Sequence, residues 1–342
     1  MRALLVFAAP LTLASCGSPD PAPATTGAAV HGSLVAAWPA SGAPREVRFS
    51  RDGRLLAASD ASGLISVRDT ATWREIARLQ HAGGATSLAF SSDGGTLYSG
   101  GYDGAVRIWD VHSGNSTGTL HASPATIWTL DVSADGQRLA AAGEDSTIHL
   151  WTLATPDRPL TLQGHQRNIW EVRFSPDGKL LASGSFDKTV RLWNAATGAP
   201  VKTLTGHQQA VVGLAFSPDG RLLASSGDDS TIRLWQVPAG TPVKTIEAGN
   251  HTYKLAFAAD GRWLVSGGRA YGGFGTFWHQ LTGGGGGARP IRIWRTADWA
   301  LVDALPADDD IAHLAIGPDG RWLVSSTEDG RFRLWRLRTV RR

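Results

Sequence analysis

A repeated pair of residues constrains this chain more than any other feature. An Asp-Gly dipeptide follows a short apolar segment seven times, starting at Asp52, Asp93, Asp135, Asp177, Asp219, Asp260 and Asp319. The successive spacings are 41, 42, 42, 42, 41 and 59 residues. Asp-Gly between short strands predicts a tight hairpin turn, because glycine accepts the positive φ that such a turn requires. The period indicates a molecule built from repeated β units.

A second marker ends each unit. Tryptophan stands at the end of six units, and an arginine holds that place in the first: Arg68, Trp109, Trp151, Trp193, Trp235, Trp294 and Trp335. The segments 106–109, 190–193 and 232–235 alternate apolar and polar residues, which is typical of half-buried strands. The alternation predicts a half-buried strand at the end of these units.

This pattern resembles the WD40 repeat family over residues 33–342. The motifs Gly164-His165…Asp187…Trp193 and Gly206-His207…Asp229…Trp235 carry the resemblance most specifically, whereas Trp-Asp itself ends only the second repeat. The resemblance implies an all-β, seven-bladed WD40-type β-propeller. Residues 33–38 are expected to complete the last blade by pairing with the strand around 331–335, because closure removes an exposed sheet edge.

The first residues read as an export signal. Residues 3–13 form an apolar run after Arg2, too short to span a bilayer, and Ala14-Ser15-Cys16 follows. This resembles a bacterial lipoprotein signal peptide, which implies a signal at 1–15 and lipidation of Cys16. An ordinary cleaved signal with a chance cysteine is the alternative.

The predicted domains and location follow from that resemblance. Residues 16–32 are the lipidated cysteine and a flexible tether, and residues 33–342 are the propeller. The resemblance implies an exported protein of the bacterial cell envelope. Residue 17 is glycine and not the aspartate that, in such lipoproteins, favours retention in the inner membrane. In a host with two membranes the protein would be anchored in the outer one, facing the periplasm.

Composition excludes several kinds of site. One cysteine rules out disulfides within the chain, cysteine-based zinc sites and iron–sulfur ligation. A net charge of +3 gives no general attraction to nucleic acid. We expect no metal and no cofactor. Arginines crowd the last twelve residues, and a solvated tail is predicted there in preference to contact with an anionic surface.

His, Ser and Asp recur together, which would fit a hydrolase. In three repeats Ser stands four residues before Asp and His stands twenty-two before it. Catalysis does not require three copies. The resemblance implies instead a buried hydrogen-bond network with the strand tryptophan. The predicted sets are His81, Ser99, Asp103 and Trp109; His165, Ser183, Asp187 and Trp193; and His207, Ser225, Asp229 and Trp235. No catalytic residue is predicted.

The resemblance also places a set of loops around one mouth of the central channel. The residues at the corresponding offsets are Tyr102, Thr126, Trp128, Glu144, Asn168, Trp170, Phe186, Asp228, His251, Tyr253, Asp310 and Glu328. Aromatic side chains are typical interface anchors, so this set is the candidate partner-binding surface. Alternatively, some of these side chains fold inward and plug the channel.

The sixth repeat carries an insertion at about residues 268–290, which accounts for its 59-residue spacing. Its aromatic residues include Tyr271, Phe274 and Trp278, and residues 283–287 are all glycine. These aromatics join the candidate surface. A mobile lid or recognition hairpin is one hypothesis, and an extended β-hairpin ornament is the other.

Three functions remain open at this point. The leading one is a non-catalytic, membrane-anchored scaffold that binds a protein or peptide partner at the channel mouth. The alternative is a propeller enzyme or small-molecule binder with the insertion as lid, for which His251, Asp228 and Asp310 are the only candidate catalytic cluster. The third is a structural envelope protein without a specific ligand. We expect a monomer that contacts the membrane only through its lipid anchor.

Overall fold

The computed structural model describes residues 29–269 and 289–340. All regular secondary structure in these ranges is β-strand. These ranges contain no helix that is long and apolar enough to span a membrane. The predicted signal and residues 16–28 of the predicted tether, including Cys16, lie outside the described residues. So do Tyr271, Phe274 and Trp278 of the insertion. Residues 29–32, which the sequence assigned to the tether, belong instead to strand β1 (Ala29–Pro39) and pair with residues 337–340, so the propeller begins before residue 33. The described strands form seven four-stranded antiparallel sheets, which confirms the seven-bladed propeller.

The first described strand, β1 (Ala29–Pro39), belongs to the last blade, and the first three blades follow it along the chain. Blade 1 consists of β2 (Pro44–Phe49), β3 (Leu55–Asp60), β4 (Leu64–Asp69) and β5 (Glu75–Gln80). Blade 2 consists of β6 (Ala85–Phe90), β7 (Thr96–Gly101), β8 (Ala105–Asp110) and β9 (Ser116–His121). Blade 3 consists of β10 (Ile127–Val132), β11 (Arg138–Gly143), β12 (Ile148–Thr152) and β13 (Leu160–Leu162).

Four further blades complete the ring. Blade 4 consists of β14 (Ile169–Phe174), β15 (Leu180–Ser185), β16 (Val190–Asn194) and β17 (Pro200–Leu204). Blade 5 consists of β18 (Val211–Phe216), β19 (Leu222–Gly227), β20 (Thr231–Gln236) and β21 (Thr241–Glu247). Blade 6 consists of β22 (His251–Phe257), β23 (Trp263–Arg269), β24 (Ile291–Arg295) and β25 (Ala300–Leu305). Blade 7 consists of β26 (Ile311–Ile316), β27 (Trp322–Thr327), β28 (Arg331–Val340) and β1.

The two ends of the chain close the ring, as predicted. Strand β1 pairs antiparallel with β28, with Leu34 opposite Trp335 and Trp38 opposite Phe332. The arginine-rich residues 331–340 do not form the predicted tail, because β28 is paired on both sides, by β27 and by β1. The side chains of Arg331, Arg336 and Arg338 are nevertheless exposed to solvent, as predicted. Arg333 of β28 is buried. The partner strand supplied by β1 is what turns this basic segment into the interior of a sheet.

Local turn chemistry and packing explain the repeat. In the first turn Gly53 has φ +72°, and the Asp52 carboxylate accepts a hydrogen bond from Ser50 Oγ at 2.6 Å. Apolar residues of adjacent blades then pack together, and the strand tryptophans sit in these cores. One such core holds Trp193, Ile169 and Leu181, all fully buried. Burial of these faces drives the blades to stack in a ring.

The innermost strands β2, β6, β10, β14, β18, β22 and β26 contact one another around the channel. Each has a shift of register near its start. Such a β-bulge changes the direction in which a side chain points. The residues at the shift include Thr86, Trp128, Trp170, Val212, Tyr253 and Ala312. In β2 the shift spans Arg45 and Glu46.

Side chains also join neighbouring blades near the channel. Glu46 of blade 1 accepts hydrogen bonds from Ser87 Oγ at 2.6 Å and Leu88 N at 3.1 Å of blade 2. Ser87 Oγ in turn accepts one from Leu130 N of blade 3 at 2.9 Å. These bonds fix the relative positions of the innermost strands that carry the channel-lining residues.

Candidate functional site

The repeated His, Ser and Asp side chains lie together in the blade interiors. Trp193 Nε1 donates to Ser183 Oγ at 2.9 Å, and His165 lies 2.7 Å from that oxygen and 2.8 Å from Asp187. Two further sets share this arrangement: Trp109, Ser99, His81 and Asp103, and Trp235, Ser225, His207 and Asp229. The three serines have no exposed surface. Their hydroxyls therefore connect strands and cannot meet a substrate in this conformation.

The carboxylates of this network are held in the ionised form. Burial opposes ionisation of Asp187, but hydrogen bonds from His165 and Thr189 outweigh it and place the pKa well below the ordinary value. Asp229 has a lowered pKa for the same reasons, with His207 as the principal hydrogen-bond partner. Each carboxylate thereby connects the loop that enters its blade to the turn between the second and third strands of the same blade.

The remaining blades keep only parts of the network. Trp294 Nε1 donates to Ser266 Oγ at 2.9 Å in blade 6, and Trp335 Nε1 donates to Ser325 Oγ at 3.0 Å in blade 7. In blade 7 the buried Arg333 pairs with an aspartate, Asp329, that corresponds to those of the complete sets. In blade 7, therefore, an arginine is the partner of the turn aspartate, whereas in blades 2, 4 and 5 that partner is a histidine.

Five of the predicted surface residues form one aromatic cluster: Tyr102, Trp128, Trp170, Phe186 and Tyr253. Trp128 and Trp170 stack with ring centroids 5.1 Å apart. Tyr102 packs edge-on against Trp128 at 5.7 Å, and Phe186 lies 5.3 Å from Trp170. Tyr253, from blade 6, lies 6.0 Å from Trp170 and accepts a 2.8 Å hydrogen bond from its indole nitrogen. All five side chains are half-buried, so they cover the channel mouth while keeping some surface accessible.

The innermost strands begin earlier than the sequence offsets imply. Trp128, Trp170, His251 and Tyr253 lie within β10, β14 and β22, and not in the loops before these strands. For Trp128, Trp170 and Tyr253 the reason is the β-bulge, which brings the residue over the channel although it is part of the strand.

The predicted polar residues surround the cluster in pairs. Asp228 lies 3.9 Å from His251, and Glu328 lies 3.1 Å from Arg269. Asp310 faces Arg289 at 3.8 Å. Two others make backbone contacts: Glu144 accepts from Thr126 N at 3.4 Å, and Asn168 O accepts from Phe186 N. Among the described residues no group of three His, Cys, Asp or Glu side chains is placed to hold a metal ion.

Two arginines of the mouth escaped sequence analysis. Arg269 places its guanidinium 3.5 Å from the ring centroid of Tyr253, and Arg45 Nε donates to Tyr102 Oη at 2.9 Å. Arg269 occupies the place in its repeat that Tyr102 and Phe186 occupy in theirs, directly before the position of the turn aspartate. The insertion that follows Arg269 hides this correspondence. An alignment of the repeats by β-strand would have found it.

A charged ring lies below the aromatic cluster. It is formed by Glu46, Glu171, Lys254 and His313, each one residue further along its innermost strand than the mouth residues. Lys254 pairs with Glu171 across two blades. His313 Nε2 lies 3.5 Å from Glu46. Burial and the neighbouring cation of Lys254 hold the pKa of His313 well below its usual value, so its imidazole is neutral at neutral pH.

This charged ring divides the channel into two cavities. The mouth cavity has a volume of about 310 Å³ and is lined on one side by Trp128, Trp170 and Tyr253. The second cavity, of about 430 Å³, opens beyond the charged ring. Lys254 and His313 line both. The mouth cavity therefore has aromatic walls and a charged floor.

Comparisons with known proteins agree with this architecture. The family described as "WD domain, G-beta repeat" matches residues 73–110, 114–152, 157–194, 198–236 and 300–336, more than half of the chain. WD repeat-containing protein 1 of Xenopus tropicalis is 35% identical over 79 residues, which are 22% of this chain and 13% of that protein. Autophagy-related protein 16 of Arabidopsis thaliana is 43% identical over 47 residues, or 14% of this chain and 9% of that protein. The match thus spans only a small part of each relative.

Proposed function

The chain belongs to the WD40 family, whose propellers are typical protein-interaction scaffolds, and from this premise we propose that it is a non-catalytic scaffold. It binds a protein or peptide partner at the channel mouth, through the aromatic cluster and the charged residues around it. It acts as a monomer and uses no cofactor. Nucleic acid is not its partner, since the chain carries a net charge of only +3.

The aromatic cluster is the observation that carries this proposal. Tryptophan and tyrosine supply large contact areas at low cost in conformational entropy, and they dominate the binding energy of many interfaces. Stacking of Trp128 on Trp170 holds these rings in place before any partner arrives. A surface that is already ordered loses less entropy on binding.

The partner is sought by crosslinking in the native membrane fraction followed by pull-down. Trp170→Ala removes the central ring of the cluster and is expected to abolish recovery of a specific partner. The matched control is Trp299→Ala, because Trp299 is also half-buried but packs on Phe257, at the opposite end of β22 from Tyr253. Equal recovery from both variants contradicts the proposal, provided that both unfold at the wild-type temperature.

The proposed scaffold is anchored to a membrane through acyl chains on Cys16. Support comes from the sequence alone, from the short apolar run followed by Leu13-Ala14-Ser15-Cys16. Labelled fatty acid is expected to enter the wild-type protein and not a Cys16→Ala variant. In a host with two membranes, the labelled protein should sediment with the outer membrane. Unlabelled protein of full length in the cytosol contradicts this part of the proposal.

The mouth cavity favours a second candidate, a small-molecule binder. Its volume of about 310 Å³ lies at the lower end of the range for ligand pockets, about 300–1,000 Å³. Under this candidate the ligand binds in the mouth cavity, and residues 268–290 serve as a lid. The same Trp170→Ala variant would then lose a small molecule and retain its protein neighbours.

A further inference from the structure

Several buried polar groups at the mouth cavity have no hydrogen-bond partner among the described residues. They are Trp128 Nε1, Glu46 Oε1 and both ring nitrogens of His313. Glu46 Oε1 and His313 Nε2 face each other at 3.5 Å, whereas Trp128 Nε1 has no such neighbour in the described part of the chain. His313 is 5% exposed, and Trp128 and His313 both line the mouth cavity. Buried polar groups in proteins are nearly always satisfied by protein, water or ligand. The indole N–H of Trp128 can only donate, so the missing partner at that side of the cavity is an acceptor.

Of the three cations that line the mouth cavity, Arg45 is the one without a recorded ion pair in the described structure, although its charge acts on the carboxyl of Glu328. Lys254 is paired with Glu171, and Arg269 is paired with Glu328. Arg45 also lines the cavity, but within residues 29–269 and 289–340 no carboxylate lies at ion-pair distance from it. Its recorded side-chain contacts are to Tyr102, by the hydrogen bond and by stacking over the ring. Tyr102 also packs on Trp128, so the two free donors lie on either side of one tyrosine.

The size and walls of the mouth cavity limit what can carry the acceptor. An apolar cavity of roughly 150 Å³ holds benzene. A cavity of about 310 Å³ therefore has room for two fused rings and a small polar group. Trp128, Trp170 and Tyr253 line the cavity and are only half-buried, so a ring in the cavity can pack against the parts of these side chains that remain accessible.

We propose that the mouth cavity is a binding site for a carboxylate attached to a flat aromatic body. Arg45 and Trp128 donate hydrogen bonds to the carboxylate, and the aromatic body packs on Trp170 and Tyr253. The carboxylate belongs either to a free small organic acid or to the C-terminal residue of a partner peptide. This inference rests on the proposed use of the channel mouth for recognition and names the chemical group that is recognised there.

Two matched pairs of probes test the site on the full-length protein in detergent, with detergent alone as the blank. The first pair is 2-naphthoate and 2-naphthamide, which stands for a free acid. The second is N-acetyl-Gly-Trp with a free C-terminus and the same peptide amidated, which stands for a partner. Affinity is measured by calorimetry. Contact is measured by the shift of the Trp128 indole N–H resonance in protein labelled with ¹⁵N on its indoles, assigned with Trp128→Phe.

At least one acid is expected to bind about tenfold or more tightly than its amide and to move the Trp128 resonance, because charge-assisted hydrogen bonds are lost with the carboxylate. Which acid binds identifies the source of the carboxylate. Arg45→Gln and Trp128→Phe should each weaken that acid by about tenfold. Arg74→Gln, an exposed arginine of the same blade, should leave its affinity unchanged.

Equal affinities for acid and amide overturn this inference, and so does binding that Arg45→Gln leaves unchanged. Failure of both acids to bind also overturns it. None of these results depends on the pull-down with Trp170→Ala. If the pull-down recovers a partner but neither acid binds, the scaffold proposal stands and the carboxylate site is refuted.

Discussion

At the scale of single residues, the serine hydroxyl of each complete network is needed by two buried neighbours. Ser183 Oγ accepts from Trp193 and lies 2.7 Å from His165, and its side chain is fully buried. A buried donor or acceptor that loses its partner keeps its full desolvation penalty. The fixed spacing of Ser, Asp and His in three repeats therefore reflects stability, and three buried hydroxyls give no reason to infer catalysis.

Ser183→Ala is accordingly expected to lower the free energy of unfolding by about 1–3 kcal/mol, because Trp193 Nε1 and His165 then lack an acceptor and a donor. Ser41→Ala serves as the control, since Ser41 is exposed and donates a hydrogen bond to Asp60 through its backbone nitrogen, which the substitution keeps. Unfolding in urea measures both. Equal stability of the two variants would show that the network contributes little.

The lowered pKa values of Asp187 and Asp229 predict how stability depends on pH. A carboxyl whose pKa is lower when folded contributes stability that is fully present above its unfolded value, near 3.8, and is lost as pH falls towards the folded value. The free energy of unfolding should therefore fall as pH drops below about 5. The double variant Asp187→Asn and Asp229→Asn should be less stable at pH 7 and show a flatter profile. A profile as steep as that of the wild type would contradict the assignment.

At the scale of elements, the sequence predicts turns and closure better than it predicts strand starts. Asp-Gly turns depend on local φ, as at Gly53, and local chemistry is visible in a sequence. Closure by residues 33–38 follows from counting strands. The start of β14 could not be predicted as well, because the bulge at Trp170 breaks the alternation that marks a strand. The register shift in β2 likewise explains why Arg45 was not identified as a residue of the channel mouth.

Strand β1 provides a direct test of the closure. Val30 is buried against the core between blades 6 and 7, whereas Val35 in the same strand is 52% exposed. Val30→Asp should lower the free energy of unfolding by about 3 kcal/mol or more, because it buries an unpaired charge. Val35→Asp should change it by no more than about 0.5 kcal/mol. Thermal unfolding of the two variants is the measurement, and similar midpoints would argue against closure by β1.

At the scale of the whole molecule, ion pairs cross the channel and join blades that are not neighbours. Glu171 of blade 4 and Lys254 of blade 6 are 83 residues apart. Arg173 of blade 4 reaches Glu46 of blade 1 at 3.8 Å. Sequence analysis did not predict these pairs. The geometry of the closed ring decides which residues of the innermost strands face each other, and no local sequence pattern indicates it. The charged ring is thus a property of the closed propeller.

Breaking one of these pairs should therefore destabilise the whole ring. Glu171 is 1% exposed, so Glu171→Gln leaves Lys254 without its counter-charge and leaves Arg173 with the more distant Glu46, and it should cost about 3–5 kcal/mol. Glu75→Gln breaks the pairs of the exposed Glu75 with Arg78 and Arg68 on the outermost strand of blade 1 and should cost no more than about 1 kcal/mol. Equilibrium unfolding compares them, and the double variant Glu171→Gln and Lys254→Met should recover part of the loss. Equal effects of Glu171→Gln and Glu75→Gln would contradict a buried ionic ring.

The central claim is that the aromatic end of the channel is the recognition surface. Photo-crosslinking from a single site tests it most directly, with p-benzoylphenylalanine placed at Phe186 in one protein and at Trp299 in another, both expressed in the native host. The account predicts a discrete crosslinked partner from position 186 and none from position 299. A partner captured only from position 299, or equally from both, would contradict it.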